Sequence, residues 1–223
     1  MGGKPCRIPD AVLFDLDGTL LDTAEDLVAA LNTILDEDGR PPMPLDTFRP
    51  WVSQGGLTLV SMAYGLPRES EEAQALWQRY LAAYESDISR HSCLFDGLEG
   101  ILAGLESGSR PWGIVTNKPT YLTDRLLREL GMRDRPACMV CSDTAPRSKP
   151  WPDPVLLACE IMEVPPERAL MVGDDERDVA SARAAGADAV VAAWGYIRPD
   201  DDPATWGASA ILPRPAALRS WVG

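Results

Sequence analysis

The stretch Ala11-Val12-Leu13-Phe14-Asp15-Leu16-Asp17-Gly18-Thr19 indicates both the fold class and the position of the chemistry. Four apolar residues in a row predict a strand that is buried on both faces of a parallel sheet. Two carboxylates follow this strand, and residues two apart in an extended segment face the same side. We therefore expect Asp15 and Asp17 to converge, although an isolated pair of this kind is also typical of a turn or a helix cap.

Similar apolar runs recur along the chain and are separated by helical patterns. Further buried strands are predicted at residues 112–115, 137–140, 169–172 and 189–191, with a short one in the tail at 210–212. Helices are predicted at residues 119–131, 152–163 and 176–186. This alternation predicts an α/β protein with a Rossmann-like doubly wound parallel sheet. In such sheets a ligand binds outside the carboxyl ends of the strands.

One stretch interrupts the alternation, because only helical patterns occur between the first two of these strands. Asp22 and Glu25 have the spacing of a helix start with Asp22 as N-cap, and an apolar stripe at helical spacing follows. Further helices are predicted over 46–63 and 69–89. We therefore predict a helical cap domain, residues 21–94, inserted into an α/β catalytic core of residues 1–20 and 95–223.

A second pair of acidic residues follows another predicted strand. Asp174 comes directly after residues 169–173, and Asp178 lies four residues further on, in the first turn of the next helix and facing Asp174. Four carboxylates at one sheet edge cannot all stay ionised without a cation, and oxygen ligands favour Mg²⁺. Since His91 is the single histidine, a histidine-rich metal site is excluded.

Two groups suited to phosphate follow two other predicted strands. Thr116, with Asn117 beside it, comes at the end of residues 112–115, and Lys149 follows residues 137–140. Only three of the 21 basic residues are lysines, so a lysine in an interior motif is expected to serve through its compact ammonium. Each residue alone is more typical of a strand or a surface, but together behind two strand ends they indicate phosphate binding.

In this order and spacing the motifs resemble those of the haloacid dehalogenase superfamily of phosphohydrolases, over essentially the full chain. The four motifs correspond to residues 15–19, Thr116, Lys149, and Gly173-Asp174 with Asp178. The helical insertion is similar to the C1 cap of that superfamily. The resemblance therefore implies a phosphatase acting on a small phosphate ester.

The resemblance also implies a role for each matched residue. Asp15 would be the nucleophile and Asp17 the acid/base, while phosphoryl oxygens would be bound by Thr116, Asn117 and Lys149. Mg²⁺ would be held by Asp15, the backbone carbonyl of Asp17, Asp174 and, through bound waters, Asp178. The chain departs from many relatives at Asp175, where they have Ser. Asp175 is either a further water-mediated ligand or a helix N-cap, and we favour the N-cap.

The cap is expected to select the substrate, because it closes over the phosphate. In the loop Trp51-Val52-Ser53-Gln54-Gly55-Gly56, paired glycines before a helix leave backbone N–H groups for an anion or a sugar hydroxyl. Gln54, Gly55 and Gly56 are therefore the candidate substrate contacts, with an ordinary helix start as the alternative. Residues 115–119 and 172–175 resemble the phosphoglycolate phosphatase group, and residues 53–56 and 195–197 resemble bacterial N-acetylmuramic acid 6-phosphate phosphatases.

Composition and charge limit the possible partners and compartments. Of the 223 residues 45% are hydrophobic and 25% charged, as in an ordinary globular protein. The net charge of −13 argues against nucleic acid and membranes as partners, whereas a bound cation would still admit a small anionic substrate. Five unpatterned cysteines, no apolar N-terminal region and no long apolar run predict a cytoplasmic protein.

Three other interpretations compete with a phosphatase of this kind. Cys141 to Ser148 formally matches the loop of cysteine phosphatases, but Pro146 lacks an N–H, the loop has no glycine, and Asp143 would oppose an anion. A phosphomutase of the same superfamily would keep all four motifs. A non-catalytic phospholigand binder would not need the nucleophile, so the intact motifs argue against it.

Overall fold

The computed structural model describes residues 7–223, and its strands form one parallel sheet and one short ribbon. In chain order the strands are β1 (Ala11–Phe14), β2 (Leu21–Asp22), β3 (Cys93–Leu94), β4 (Trp112–Val115), β5 (Cys138–Val140), β6 (Ala169–Gly173), β7 (Asp188–Ala192) and β8 (Ala210–Leu212). Six of them form a sheet in the order β5-β4-β1-β6-β7-β8, and every pairing in it is parallel. The ribbon is the antiparallel pair β2-β3.

Helices cover both faces of this sheet. In chain order they are α1 (Ala24–Glu37), α2 (Leu45–Phe48), α3 (Gly56–Tyr64), α4 (Glu71–Ser86), α5 (Leu98–Ser107), α6 (Thr120–Glu129), α7 (Asp153–Ile161), α8 (Glu176–Ala185) and α9 (Arg219–Val222). Buried residues of α7 and α8 belong to the core on one face of the sheet, and those of α5, α6 and α9 to the core on the other. The predicted doubly wound α/β fold is confirmed.

The central strands are buried on both faces, which explains their continuous apolar sequences. All four residues of β1 are fully buried, and β4 and β6 are buried along their length. Burying a large aliphatic side chain contributes about 1.5–3 kcal/mol to the stability of the fold. The strands with continuous apolar sequences therefore form the centre of the sheet. The residues at their carboxyl ends are attached to fully buried strands.

Helices α1 to α4 lie between β2 and β3 in the sequence and pack on one another. α4 packs against both α1 and α3, and the apolar stripe of α1 is buried. The ribbon pairs Leu21 with Leu94, and so brings the two connecting segments side by side. The domain boundaries after residues 20 and 94 stay a prediction, and residues 1–6 of the predicted core lie outside the described range. Among residues 7–223, no helix is both long and apolar enough to cross a membrane.

Three predictions within residues 21–94 are wrong. Asp22 lies in β2 rather than at a helix cap, because its carboxylate is engaged by Arg49 and by the Tyr196 hydroxyl. The helix predicted over 46–63 is divided into α2, a 3₁₀ segment at Arg49–Gln54 and α3. Gly55, with φ of 86°, interrupts it. The segment also contains two strands, β2 and β3, which are too short to produce a sequence pattern.

Candidate active site

Three carboxylates converge at the carboxyl edge of the sheet. Asp15 follows β1, Asp174 follows β6, and Asp178 lies in the first turn of α8. One oxygen atom from each lies within 4.8 Å of the others, and all three residues are buried. Asp15 and Asp174 meet because β1 and β6 are neighbouring parallel strands that end at the same edge. These three residues are called the acidic cluster.

The ammonium group of Lys149 offsets part of the charge of the acidic cluster. Its Nζ lies 2.8 Å from Asp15 Oδ1 and 2.6 Å from Asp178 Oδ1, and it donates to the Val115 carbonyl over 2.7 Å. Burial would lower the pKa of Lys149, but the charges of Asp15 and Asp178 outweigh it and raise the pKa above its ordinary value. Lys149 is therefore a fixed cation beside Asp15.

One cation does not balance three buried carboxylates. Burial and the charge of Asp15 raise the pKa of Asp174 to about 7. Burial also raises the pKa of Asp178 well above its ordinary value, although Lys149 opposes the effect. Asp178 Oδ1 is buried and, within the part of the chain that the structure describes, accepts no hydrogen bond beyond its ion contact with Lys149. A set of oxygen ligands with this uncompensated charge could hold a divalent cation.

The Asp17 side chain lies outside the acidic cluster and forms an ion pair of its own. Lys118 Nζ lies 3.2 Å from both carboxylate oxygens of Asp17, and Thr23 Oγ1 donates to Oδ1 over 2.7 Å. The four carboxylates do not form one group as expected: the Asp17 side chain is outside the set whose oxygens lie within 4.8 Å of one another, although it lines the same cavity as Asp15. The reason is that β1 ends at Phe14 and the chain then turns, so the alternation of an extended strand does not continue to Asp17.

The remaining residues predicted to bind phosphate lie next to Lys149. Thr116 is buried, and its hydroxyl accepts a hydrogen bond from the Lys118 backbone over 3.2 Å. The Asn117 amide donates to the Lys149 carbonyl over 3.0 Å, and its oxygen accepts from the Lys149 N–H over 3.1 Å. Asn117 thus uses both ends of its side chain to position the Lys149 backbone.

The cap loop, residues 51–56, contacts the core through three hydrogen bonds. Ser53 Oγ donates to Asp174 Oδ2 over 2.9 Å, and Gln54 Nε2 donates to Asp175 Oδ2 over 2.8 Å. Arg177 donates to the Ser53 carbonyl over 2.6 Å. The loop is therefore joined to one residue of the acidic cluster and to the start of α8.

Asp175 is the N-cap of α8, as predicted. Its Oδ1 accepts from the Arg177 N–H over 2.9 Å, while its own N–H donates to Asp178 Oδ2 over 3.1 Å. This reciprocal arrangement satisfies two N–H groups at the start of the helix. It also fixes the carboxylate of Asp178 through a backbone donor.

Glycine is required at positions 55 and 56 for two different structural reasons. Gly55 has a positive φ of 86°, which glycine adopts without steric cost. At Gly56 a Cβ atom would lie 2.2 Å from Tyr80 Cε1, so only glycine allows α3 to approach α4 this closely. Both glycines line the cavity together with Gln54. Their predicted contact with substrate stays a prediction.

A cavity of about 580 Å³ lies between the acidic cluster and residues of the segment 21–94, the predicted cap. On the core side it is lined by Asp15, Asp17, Thr116, Lys118 and Lys149. On the cap side it is mainly apolar and aromatic, with Leu57, Trp77, Tyr80, Leu81 and Tyr84. Charged groups on one side and an apolar wall on the other are typical of a site for a phosphorylated organic molecule.

The sequence model of the haloacid dehalogenase-like hydrolase family matches residues 12–192. The chain belongs to this family. It is similar to the N-acetylmuramic acid 6-phosphate phosphatase of Pseudomonas putida, with 40% identity over 209 residues and 94% of each chain covered. It is also similar to the phosphoglycolate phosphatase of Xanthomonas campestris, with 43% identity over 212 residues, 95% of this chain and 96% of the relative.

A solved haloacid dehalogenase-like hydrolase from Streptococcus pneumoniae has the same fold. It matches with a TM-score of 0.81 and 24% identity, and the match covers 97% of this chain and 99% of that one. The predicted superfamily and the predicted fold are thus confirmed by independent comparisons.

Sequence reasoning missed several residues that hold the carboxylates of this haloacid dehalogenase-like hydrolase. Asp174 accepts hydrogen bonds from Thr19 Oγ1 over 2.8 Å and from the Tyr196 N–H over 2.8 Å, besides the one from Ser53. Lys118 could have been suspected, because lysines are rare in this chain. The contact between Ser53 and Asp174 joins residues 121 apart, so no local pattern could reveal it.

The alternative of a cysteine phosphatase does not fit the family or the geometry. Cys141 is buried, and burial raises the pKa of its thiol, which disfavours the nucleophilic thiolate. Arg147 is paired with Asp153 at 2.8 Å and lies over the Trp151 ring, 4.2 Å from its centre. The arginine that would have to bind phosphate in this loop is thus engaged by Asp153 and Trp151 instead.

Proposed function

We propose that this hydrolase is a Mg²⁺-dependent phosphatase that acts on a phosphomonoester through an aspartyl-phosphate on Asp15. The observation that carries the proposal is the 2.8 Å contact of Asp15 with the Lys149 ammonium, on the core side of the cavity. An anionic nucleophile can approach an anionic phosphoryl group where fixed cations offset the repulsion. The proposed substrate is N-acetylmuramic acid 6-phosphate, with 2-phosphoglycolate as the second candidate.

In the proposed mechanism the core residues have separate roles. An oxygen of Asp15 attacks phosphorus, the substrate alcohol leaves, and water later hydrolyses the aspartyl-phosphate. Lys149 and Thr116 bind the phosphoryl oxygens, while Asn117 holds the Lys149 backbone. Asp17 gives a proton to the leaving oxygen and later takes one from the attacking water. Its position outside the acidic cluster supports this division of roles.

The acidic cluster suits Mg²⁺ as the cofactor. Its donors are all oxygens, which this cation prefers, and the pKa values of Asp174 and Asp178 are raised by burial and by the negative charge of neighbouring carboxylates. We propose that Asp15, Asp174, Asp178 and the Asp17 backbone carbonyl hold it, with waters between Asp178 and the ion. When bound, Mg²⁺ neutralises charge on the carboxylates and the phosphoryl oxygens.

The size and lining of the cavity favour the larger of the two candidate substrates. A volume of about 580 Å³ is within the range of sites for drug-sized ligands and exceeds what phosphoglycolate, with two carbon atoms, would fill. Apolar side chains such as Leu57, Trp77 and Leu81 offer a surface for the carbon face of a sugar ring. We further propose that residues 21–94 act as the cap that supplies this wall, over a core of residues 1–20 and 95–223.

The test is phosphate release from N-acetylmuramic acid 6-phosphate and 2-phosphoglycolate, in excess Mg²⁺ and in EDTA. We expect release only with Mg²⁺, and a kcat/KM for the sugar phosphate that is at least about tenfold higher, because it alone fills the cap side. The reverse order of kcat/KM would assign phosphoglycolate instead. Full activity in EDTA would contradict the proposed cofactor.

The nucleophile is tested by Asp15→Asn. We expect kcat to fall by at least about 10³-fold, because the amide cannot form the aspartyl-phosphate. Asp10→Asn is a matched control, since Asp10 is half-exposed just before β1, where it pairs with Arg168. The control should keep its activity, and both variants should keep the circular dichroism spectrum of the parent. Residual activity of Asp15→Asn above about 1% would refute the nucleophile assignment.

A further inference from the structure

Among residues 7–223, four cationic side chains line the cavity, and three of them are already paired with carboxylates. Lys149 contacts Asp15 and Asp178, Lys118 contacts Asp17, and Arg177 contacts Asp175. The fourth is Arg68. Within residues 7–223 its guanidinium forms no ion pair and no hydrogen bond with another side chain. Arg68 is thus the cation of the cavity wall whose charge is available to a ligand.

Arg68 belongs to the part of the cavity wall that residues 21–94 contribute. It lies in the connection between α3 and α4, and it is exposed. The Gln74 amide donates to its backbone carbonyl over 2.9 Å and so holds this connection against the start of α4. Leu57, Trp77 and Leu81, which line the same cavity, carry no charge. Of the described residues, the carboxylates that line the cavity all lie outside residues 21–94.

We propose that Arg68 determines specificity by binding a carboxylate on the leaving group of the substrate. This inference rests on the proposed function, in which the phosphate is bound on the core side by Lys149 and Thr116. A second anionic group on the same molecule would then extend towards the cap wall, where Arg68 is a cation without an ion-pair partner among residues 7–223. A guanidinium binds a carboxylate through two parallel hydrogen bonds, which gives both affinity and orientation.

The chemistry of the proposed substrate matches this arrangement. N-acetylmuramic acid 6-phosphate carries its phosphate on one side of the sugar ring and, on a lactyl ether away from it, a methyl group and a carboxylate. The methyl group suits the apolar side chains of the wall, and the carboxylate suits Arg68. N-acetylglucosamine 6-phosphate has the same ring and phosphate but no lactyl group, so it lacks both the methyl group and the carboxylate. Variants of Arg68 then separate the contribution of the carboxylate from that of the methyl group.

The experiment compares kcat/KM for these two sugar phosphates in the parent protein and in variants of Arg68. The parent should prefer the carboxylated substrate by about 10–100-fold, which is the usual effect of one charged hydrogen-bonded pair. Arg68→Leu should reduce this preference to within about threefold of unity, by lowering kcat/KM for N-acetylmuramic acid 6-phosphate alone. Arg68→Lys should retain part of it, because the positive charge remains.

Arg40→Leu is the matched control, since Arg40 is also an exposed cap arginine but packs over the Tyr64 ring and does not line the cavity. It should keep the preference of the parent. Equal losses on both substrates in Arg68→Leu, or no loss, would overturn the inference while leaving the phosphatase activity established. Failure of the parent to release phosphate from either sugar phosphate or from 2-phosphoglycolate would instead overturn the proposed function, and this inference with it.

Discussion

At the scale of single residues, two lysines divide the carboxylates of the site into groups with different surroundings. Lys149 contacts Asp15 and Asp178, whereas Lys118 contacts Asp17 and donates to the Tyr84 hydroxyl over 2.9 Å. Both lysines are buried, at 4% and 8% exposure, so salt screens their ion pairs only weakly. Acidic groups that are kept apart in this way can serve as nucleophile and as acid/base in one reaction.

The contact between Lys118 and Asp17 predicts a defect in turnover rather than in binding. In Lys118→Met the Asp17 carboxylate loses the ammonium that orients it, so we expect kcat to fall by about 10–100-fold. KM should change by less than about threefold, because Lys149 and Thr116 remain. Steady-state kinetics on the proposed substrates measure both quantities, and the thermal midpoint checks folding. A rise in KM without a fall in kcat would place Lys118 on the substrate instead of on Asp17.

At the scale of elements, the sequence predicted those segments that carry a complete pattern of their own. β1 and β6 were predictable because each is a continuous apolar run that ends in an aspartate, and this also located Asp15 and Asp174. The ribbon β2-β3 was not predictable, because two residues per strand contain no periodicity. The position of the Asp17 side chain was missed for a related reason, since it depends on Lys118, a residue 101 positions away.

The cap loop, residues 51–56, is an element whose order depends on its contacts with the core. Gln54→Leu keeps the size of the side chain but removes the hydrogen bond to Asp175. We expect the backbone amides of the cap loop to exchange with solvent about tenfold faster, because a hydrogen bond to a charged group is lost. Gln74→Leu is the control, since its amide bonds to the Arg68 carbonyl within the cap. Equal exchange in both variants would mean that the contact of Gln54 does not hold the loop.

At the scale of the whole molecule, the site concentrates negative charge in a chain that is already acidic. The net charge is −13, and the acidic cluster holds three buried carboxylates, of which Lys149 contacts two, Asp15 and Asp178. Unbalanced buried charge opposes folding, so the metal-free site lowers the free energy of unfolding, and burial of the apolar core must compensate for it. A cation that binds only the native state recovers part of this free energy. Stability and cofactor binding are therefore expected to be linked through pH.

The linkage predicts that metal-free protein becomes less stable as the pH rises. The pKa of Asp174 is raised to about 7 in the native state from the ordinary value of 3.8, and that of Asp178 is raised as well. Between these values the native state binds more protons than the unfolded chain, so the free energy of unfolding decreases with rising pH. For Asp174 alone the loss between pH 5.5 and 7.5 is on the order of 2 kcal/mol, or about 4–8 °C in Tm.

Thermal unfolding in EDTA at these two pH values measures the loss of stability. Both values lie above the pH range in which carboxyl groups of lowered pKa titrate. Excess Mg²⁺ should reduce or reverse the difference, because the ion binds ionised carboxylates and so stabilises the protein most at pH 7.5. Asp174→Asn should flatten the pH dependence in EDTA, since its amide does not titrate, and should weaken the stabilisation by Mg²⁺. A Tm in EDTA that rises from pH 5.5 to 7.5 would show that the acidic cluster is not the dominant titrating site.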